Sequence, residues 1–70
     1  MVKIQAGSAI EVDRIDDKLD SPGWSTIVET EDDHYAIEAL VEWLNQQDDF
    51  GMDLNNTYFR IISENQVYTF

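Results

Sequence analysis

The side chains that could do chemistry in this chain are one histidine and two dense groups of carboxylates. His34 is the only histidine, and there is no cysteine. A general base needs a nucleophile to activate and a third group to orient it. Without a cysteine or a second histidine no familiar set can be built around His34, which reads as an exposed or partly packed helix residue. Asp13, Asp16, Asp17 and Asp20 form one carboxylate group; Glu29, Glu31, Asp32 and Asp33 join His34 in the other. A calcium loop needs ligands at alternating positions, a glycine at its turn and a distal glutamate. The stretch from Asp13 to Asp20 has neither that spacing nor that glycine. No dedicated metal site and no cofactor are expected. The chain also lacks a glycine-rich phosphate loop, a nucleophile elbow and an HExxH pair. Paired carboxylates for hydrolysis need a cleft, which a chain of 70 residues rarely forms. The expectation is a protein that is not an enzyme, with no catalytic residues.

What remains is the charge itself. Fifteen Asp and Glu face only Lys3, Arg14, Lys18 and Arg60, for a formal charge of −11. Binding DNA or RNA directly requires clustered Lys or Arg to neutralise phosphates, and four scattered bases do not supply it. Attachment to an anionic membrane meets the same repulsion. No apolar run approaches the length of a membrane span, and the first residues lack the apolar core of a signal peptide. The expectation is a cytoplasmic protein whose partners are basic surfaces, above all those that normally hold nucleic acid.

Size and pattern then set the elements that must carry these carboxylates. Seventy residues, 43% of them apolar, read as one domain spanning 1–70. At that size folding buries only about 60% of the surface the unfolded chain exposes, and no disulfide supplements the core. Val2, Ile4 and Ala6 alternate with Lys3 and Gln5 as in a half-buried strand. Ile10 and Val12 alternate with Glu11 and Asp13, predicting a second strand over residues 10–15. A three-residue loop, Gly7-Ser8-Ala9, would pair Ala6 with Ile10 and Ile4 with Val12 and keep the apolar face whole. Residues 16–23 read as a loop with Pro22-Gly23 at a type II turn, and Trp24 to Glu29 as a third strand.

Helix entry follows at Thr30-Glu31-Asp32-Asp33. Thr30 is placed to accept from the Asp33 amide, with three carboxylates at the positive end of the helix dipole. Ile37, Leu40, Val41 and Leu44 recur at i, i+3, i+4, i+7 and predict the buried stripe, flanked by Ala36 and Trp43. The helix should end near Asp48 or Asp49, with Gly51 as its cap. The last segment reads as a hairpin. A two-residue loop at Glu64-Asn65 pairs Ile61 with Tyr68 and Phe59 with Phe70, all on one face.

The predicted fold is therefore α+β, ordered β-β-β-α-β-β, with one helix packed on a mainly antiparallel sheet. One helix cannot cover five strands. The second sheet face, carrying Tyr58, Ile62 and Val67 with Arg60 and Thr69, is either an interface or is partly covered by the loop from Asp16 to Gly23.

Two functional readings follow. In the first, a carboxylate surface made of Glu31, Asp32, Asp33, Glu38 and Glu42, with Asp16, Asp17 and Asp20 as a second patch, engages the basic surface of a nucleic-acid-binding protein. In the alternative, a small interaction or assembly module binds a protein, or a second copy to form a homodimer, through Tyr58, Ile62 and Val67. In size, charge, lack of cysteine and lack of enzyme motifs the whole chain resembles phage-encoded inhibitors that mimic nucleic acid, among them anti-CRISPR proteins and inhibitors of restriction enzymes. The resemblance is one of character and rests on no motif. It implies a stoichiometric blocker of a nucleic-acid-binding protein, acting in the host cytoplasm.

Overall fold

A computed structural model describes residues 1–48 and 56–69, without the side chains of residues 47 and 48. The elements run β1 (Val2–Ser8), β2 (Ser25–Thr30), α1 (Asp33–Asp48), β3 (Thr57–Ser63) and β4 (Gln66–Thr69). The fold is α+β: one helix lies on a four-stranded sheet of order β2-β1-β3-β4, antiparallel at every pairing.

The strand expected over residues 10–15 is absent. After Ser8 the chain turns sharply instead. The amides of Glu11 and Val12 both donate to the Ser8 carbonyl, at 2.9 Å each, and the Ile10 amide donates to Ser8 Oγ at 3.3 Å. The reason is competition for β1. Its two edges are taken by β2 and β3, so no edge is left for a hairpin partner. Val12 is buried all the same, whereas Ile10 is 92% exposed. Val12 packs onto the backbone of two glycines. A Cβ at Gly7 would stand 2.8 Å from Val12 Cγ2, and one at Gly23 2.9 Å from Val12 Cγ1. Gly23 also has φ +90°, as the third position of a type II turn requires.

The C-terminal hairpin has the predicted register, with Ile61 opposite Tyr68. Glu64 and Asn65 carry φ of 52° and 66°, the paired left-handed conformation of a type I′ turn. The partner expected for Phe59, Phe70, lies outside the described residues, as do Asp49, Gly51 and Asp53.

Alternation sorts the strands onto two faces. Val2, Ile4, Ala6, Val28, Phe59, Ile61 and Tyr68 share the face that meets α1; Lys3, Gln5, Thr26, Tyr58, Arg60, Ile62, Val67 and Thr69 share the other. The core is Val2, Ile4, Val28 and Ala36, with Ile27, Ala39, Leu40 and Ile61 packed against it. The helix lies mainly on β2 and β1.

Its buried stripe is rotated from the predicted one. Ala36 is 2% exposed, while Ile37 and Val41 stand 55% and 53% exposed. Ala36, Leu40 and Trp43 now hold the i, i+4, i+7 positions toward the sheet. Ala36 has almost no side chain to hold the helix away, so the backbones approach closely. Trp43 reaches across to β3, its ring edge-on to Phe59 with centroids 6.0 Å apart.

The helix cap is also displaced. Asp32 is the capping residue: its carbonyl accepts from the Ala36 amide at 3.0 Å, and its carboxylate accepts from the His34 amide at 2.9 Å. Thr30 stays in β2 and its hydroxyl accepts from the Asp32 amide at 3.3 Å. A carboxylate is as good a cap as a hydroxyl and adds charge at the positive end of the dipole.

Candidate functional site

The expected contact residues fall into two carboxylate patches, and the sheet stands between them. The first patch rides on the loop of residues 9–24. Asp13, Asp16, Asp17 and Asp20 line a shallow hollow together with Ile15, Lys18, Ser21 and Pro22. The loop shapes itself locally, the Asp13 carboxylate accepting from the Ile15 amide and the Asp16 carboxylate from the Lys18 amide, both at 3.0 Å.

Its position over the sheet depends on Arg60. This side chain is fully buried, at 0% exposure. Its Nε donates to Gln5 Oε1 at 2.8 Å. One Nη donates to the carbonyls of Asp16 and Lys18, at 3.0 and 2.9 Å, and the other to that of Leu19 at 3.4 Å. The guanidinium lies over the Trp24 ring, 4.5 Å from its centroid, where the ring face attracts a cation. Gln5 continues the polar row by donating from Nε2 to Thr26 Oγ1 at 3.2 Å. One arginine thus converts three loop carbonyls and an indole ring into a lid over the sheet.

The electrostatics agree with that geometry. Burial lowers the Arg60 pKa from its ordinary value, and the Asp16 charge pushes it back up. The Asp16 carboxyl is held below the usual carboxylate range, first by the Ser21 side-chain hydrogen bond and then by the Lys18 amide. Arg60 and the Trp24 N–H lower it further, against an opposing effect of burial. Trp24 Nε1 is itself buried with no partner at hydrogen-bond geometry.

The second patch is on the helix layer. Glu31, Asp32, Asp33 and His34 border a hollow that also touches Met1, Val2, Ser63 and Glu64. Glu42 lies on the opposite flank of α1, with Tyr35, Ala39 and Gln46 above Ile27 and Val28 of β2. Glu38 is exposed, as are Glu31, Asp32, Asp33 and Glu42. Between Lys18 and Arg60 the sequence holds no Lys or Arg. Lys3 and Arg60 are on the loop-covered face, and Arg14 and Lys18 are in the loop. Among the described residues, the helix layer therefore carries carboxylates and no Lys or Arg. Among the same residues, no three His, Asp or Glu side chains are grouped as a metal site.

Asp16, Asp17 and Asp20 therefore do not join Glu31, Asp32, Asp33, Glu38 and Glu42 in one surface. Tyr58, Ile62 and Val67 lie on the loop-covered face as predicted, each half-buried. That face is open in part: Ile62 borders a hollow with Lys3, Gln5 and Leu19. The residue that sequence reasoning undervalued is Arg60. Its signal was present, since an arginine alternating with Tyr58 and Ile62 in an aromatic, β-branched strand has to face the same way as they do.

Comparison with protein-family models, with curated proteins and with solved structures gives no match. No described helix is long and apolar enough to cross a membrane.

Proposed function

We propose that this chain is a non-enzymatic acidic binding protein that blocks a nucleic-acid-binding protein by occupying its basic surface, in the manner of phage-encoded anti-CRISPR or anti-restriction inhibitors. The observation that carries the reading is the segregation of charge. Glu31, Asp32, Asp33, Glu38 and Glu42 stand on the helix layer with no Lys or Arg among them. Helical carboxylates lie about 5–6 Å apart at their Cβ atoms. Duplex DNA carries one charge per about 1.7 Å of axis over both strands. Glu38 and Glu42, one helical turn apart, and the cluster of Glu31, Asp32 and Asp33 at the helix entry present a groove built for phosphates with charge it can pair. Arg60 adds to the imbalance, because its cation is used inside the fold and is lost to the surface.

The test is capture of partners from a cell lysate, with elution by a salt gradient, followed by kinetics on the purified complex. Reversal at Glu38 and Glu42 slows association more than it speeds dissociation, and salt weakens the wild-type complex steeply. Reversal at Asp17 and Asp20 reports on the loop patch separately. A complex indifferent to salt and to both pairs of changes overturns the reading. The same experiment separates binding from folding. Glu42→Lys places a lysine four residues after Glu38 and nearer the helix C-terminus, which stabilises α1 by about 0.3–0.5 kcal/mol. A variant that is more stable and binds more slowly locates the effect at the interface.

A further inference from the structure

The edge strand β2 holds an irregularity in its register. Ile4 pairs with Val28 and Gln5 with Thr26, so Ile27 is an extra residue with no partner on β1. This is a β-bulge, a device that re-aims a side chain at the edge of a sheet. Strict alternation would send Ile27 to the loop-covered face, because its neighbour Val28 faces the helix. Ile27 packs instead against the core cluster of Val2, Ile4, Val28 and Ala36. Two consecutive residues of β2 thus turn apolar side chains toward α1.

Above them runs one stripe of the helix. Tyr35, Ala39, Glu42 and Gln46 recur at i, i+4, i+7 and i+11, and with Trp43 they border a hollow of about 270 Å³ over Ile27 and Val28. Small-molecule sites are typically roughly 300–1,000 Å³, so this one suits a single long side chain better than a whole ligand. The small side chain of Ala39 leaves the space, Ile27 and Val28 make the floor apolar, and Tyr35 and Trp43 bring aromatic rings to the border. Glu42 is exposed and supplies a carboxylate at the rim.

That set of groups matches the chemistry of an arginine. Its stem lies along apolar surface while the charged head stays at the solvent edge. Its planar head stacks on aromatic rings and meets a carboxylate as a fork. The chain already holds one guanidinium against a ring, Arg60 over Trp24 at 4.5 Å. Arg60 is buried on the far face of the sheet, and among the described residues no Lys or Arg stands on the helix layer. The cation therefore comes from another molecule. A second copy would bring its own −11 against the carboxylates of α1, whereas a basic protein is drawn to them.

We propose that the hollow between α1 and the bulge of β2 is an anchor site for an arginine side chain of a partner protein, its stem on Ile27 and Ala39 and its guanidinium on Glu42. The inference rests on the reading of a basic partner and names the side chain that anchors it. Salt screens the contact with Glu42 but not the burial of the stem, so part of the binding resists salt.

The test uses short peptides, capped at both ends, in which glycines flank one arginine, one lysine or one citrulline, the uncharged analogue of arginine. Each is titrated into the full chain at low salt, and binding is read from amide shifts in proton–nitrogen correlation spectra. The arginine peptide is expected to give saturable shifts centred on Ile27, Ala39 and Glu42. It should bind about tenfold tighter than the citrulline peptide and about threefold tighter than the lysine peptide. Tyr35→Ser and Glu42→Gln, both at exposed positions, should each weaken it by about threefold or more, while Glu11→Gln, an equal loss of charge elsewhere, leaves it unchanged. The peptide ratios are measured on the unaltered chain and stand whether or not a variant folds. Lysine binding as tightly as arginine overturns the assignment to arginine. Shifts centred on Glu31, Asp32 and Asp33 and unmoved by Tyr35→Ser overturn the hollow and leave the basic-partner reading standing. Lack of saturable binding also overturns the hollow, and the lysate capture with its salt gradient then decides the basic-partner reading separately.

Discussion

On one face of the sheet the chain closes over Arg60 with the loop of residues 9–24; on the other, α1 lies over β1 and β2 and reaches β3 through Trp43. The two coverings are held by different physics. The loop face is organised by directed bonds that converge on a single cation, so its geometry depends on one side chain. The helix face is organised by apolar contact spread over Ile4, Val28, Ala36 and Leu40, where each residue contributes a share. Both faces carry carboxylates. On the loop face their placement follows from the bonds to Arg60, and on the helix face from the helix itself.

The sharpest way to break this comparison is Arg60→Met. It leaves Gln5 Oε1 and three loop carbonyls without their donor, although water reaches some of them once the loop loosens. The expected cost is about 3 kcal/mol, a fall in Tm of roughly 15 °C for a domain of this size. Amide signals of residues 13–20 should collapse toward random-coil positions while those of α1 persist. A loss below about 1 kcal/mol would mean that the loop is held by something else. Gly7→Ala comes next. Its Cβ would meet Val12 Cγ2 at 2.8 Å, Val12 Cγ1 at 2.9 Å and Trp24 Cε3 at 3.2 Å. A β-branched valine cannot swing its methyls away, so the cost is about 2 kcal/mol by denaturant titration. The same change in a Val12→Ala background should cost far less, and that non-additivity ties the loop's apolar end to β1.

On the helix face the largest single effect expected from a polar change is smaller. Asp32→Ala removes the cap and costs about 1 kcal/mol, whereas Asp32→Asn retains an acceptor and stays near the parent stability. Equal losses from the two would place the effect in charge rather than in the cap. The smallest effect is a shift in titration. Asp16 has a lowered pKa in the fold, so its contribution to stability is present above its unfolded pKa and is lost as pH falls through the folded value. Ser21→Ala removes the foremost cause. The Asp16 carboxyl resonance should then titrate closer to the ordinary carboxylate range, and that acid-side window should narrow.

The same contrast explains which parts of the fold were legible in the sequence. The hairpin at Glu64-Asn65 was, because its turn chemistry and its apolar register are local and agree. The helix was legible as an element but its buried face was not. Bulky residues at i, i+3, i+4, i+7 pointed to Ile37 and Val41, yet close packing on a sheet favours the small side chain of Ala36. The strand expected at residues 10–15 failed because β1 had two other partners, β2 and β3, and such competition is decided across the chain. The acid-bearing residues were identified one by one, but their division onto opposite faces depends on where loop and helix dock. The burial of Arg60 requires three carbonyls that only the folded loop brings together.

The clamp around Arg60 also bears on how long the protein lasts. Arg14 and Lys18 are the two loop residues after which a trypsin-like protease would cut, and the bond to be attacked at Lys18 is the one whose carbonyl accepts from Arg60 at 2.9 Å. That oxygen cannot enter a protease's oxyanion hole while it is bonded to the guanidinium. Cleavage there waits on lifting the segment from the sheet, at a rate set by how often it opens. The arginine that aims the acid loop is therefore also the lock on the bond after Lys18, and the appearance of a nick there, in a chain with Arg14 replaced by Gln, is a clock for the opening of that face.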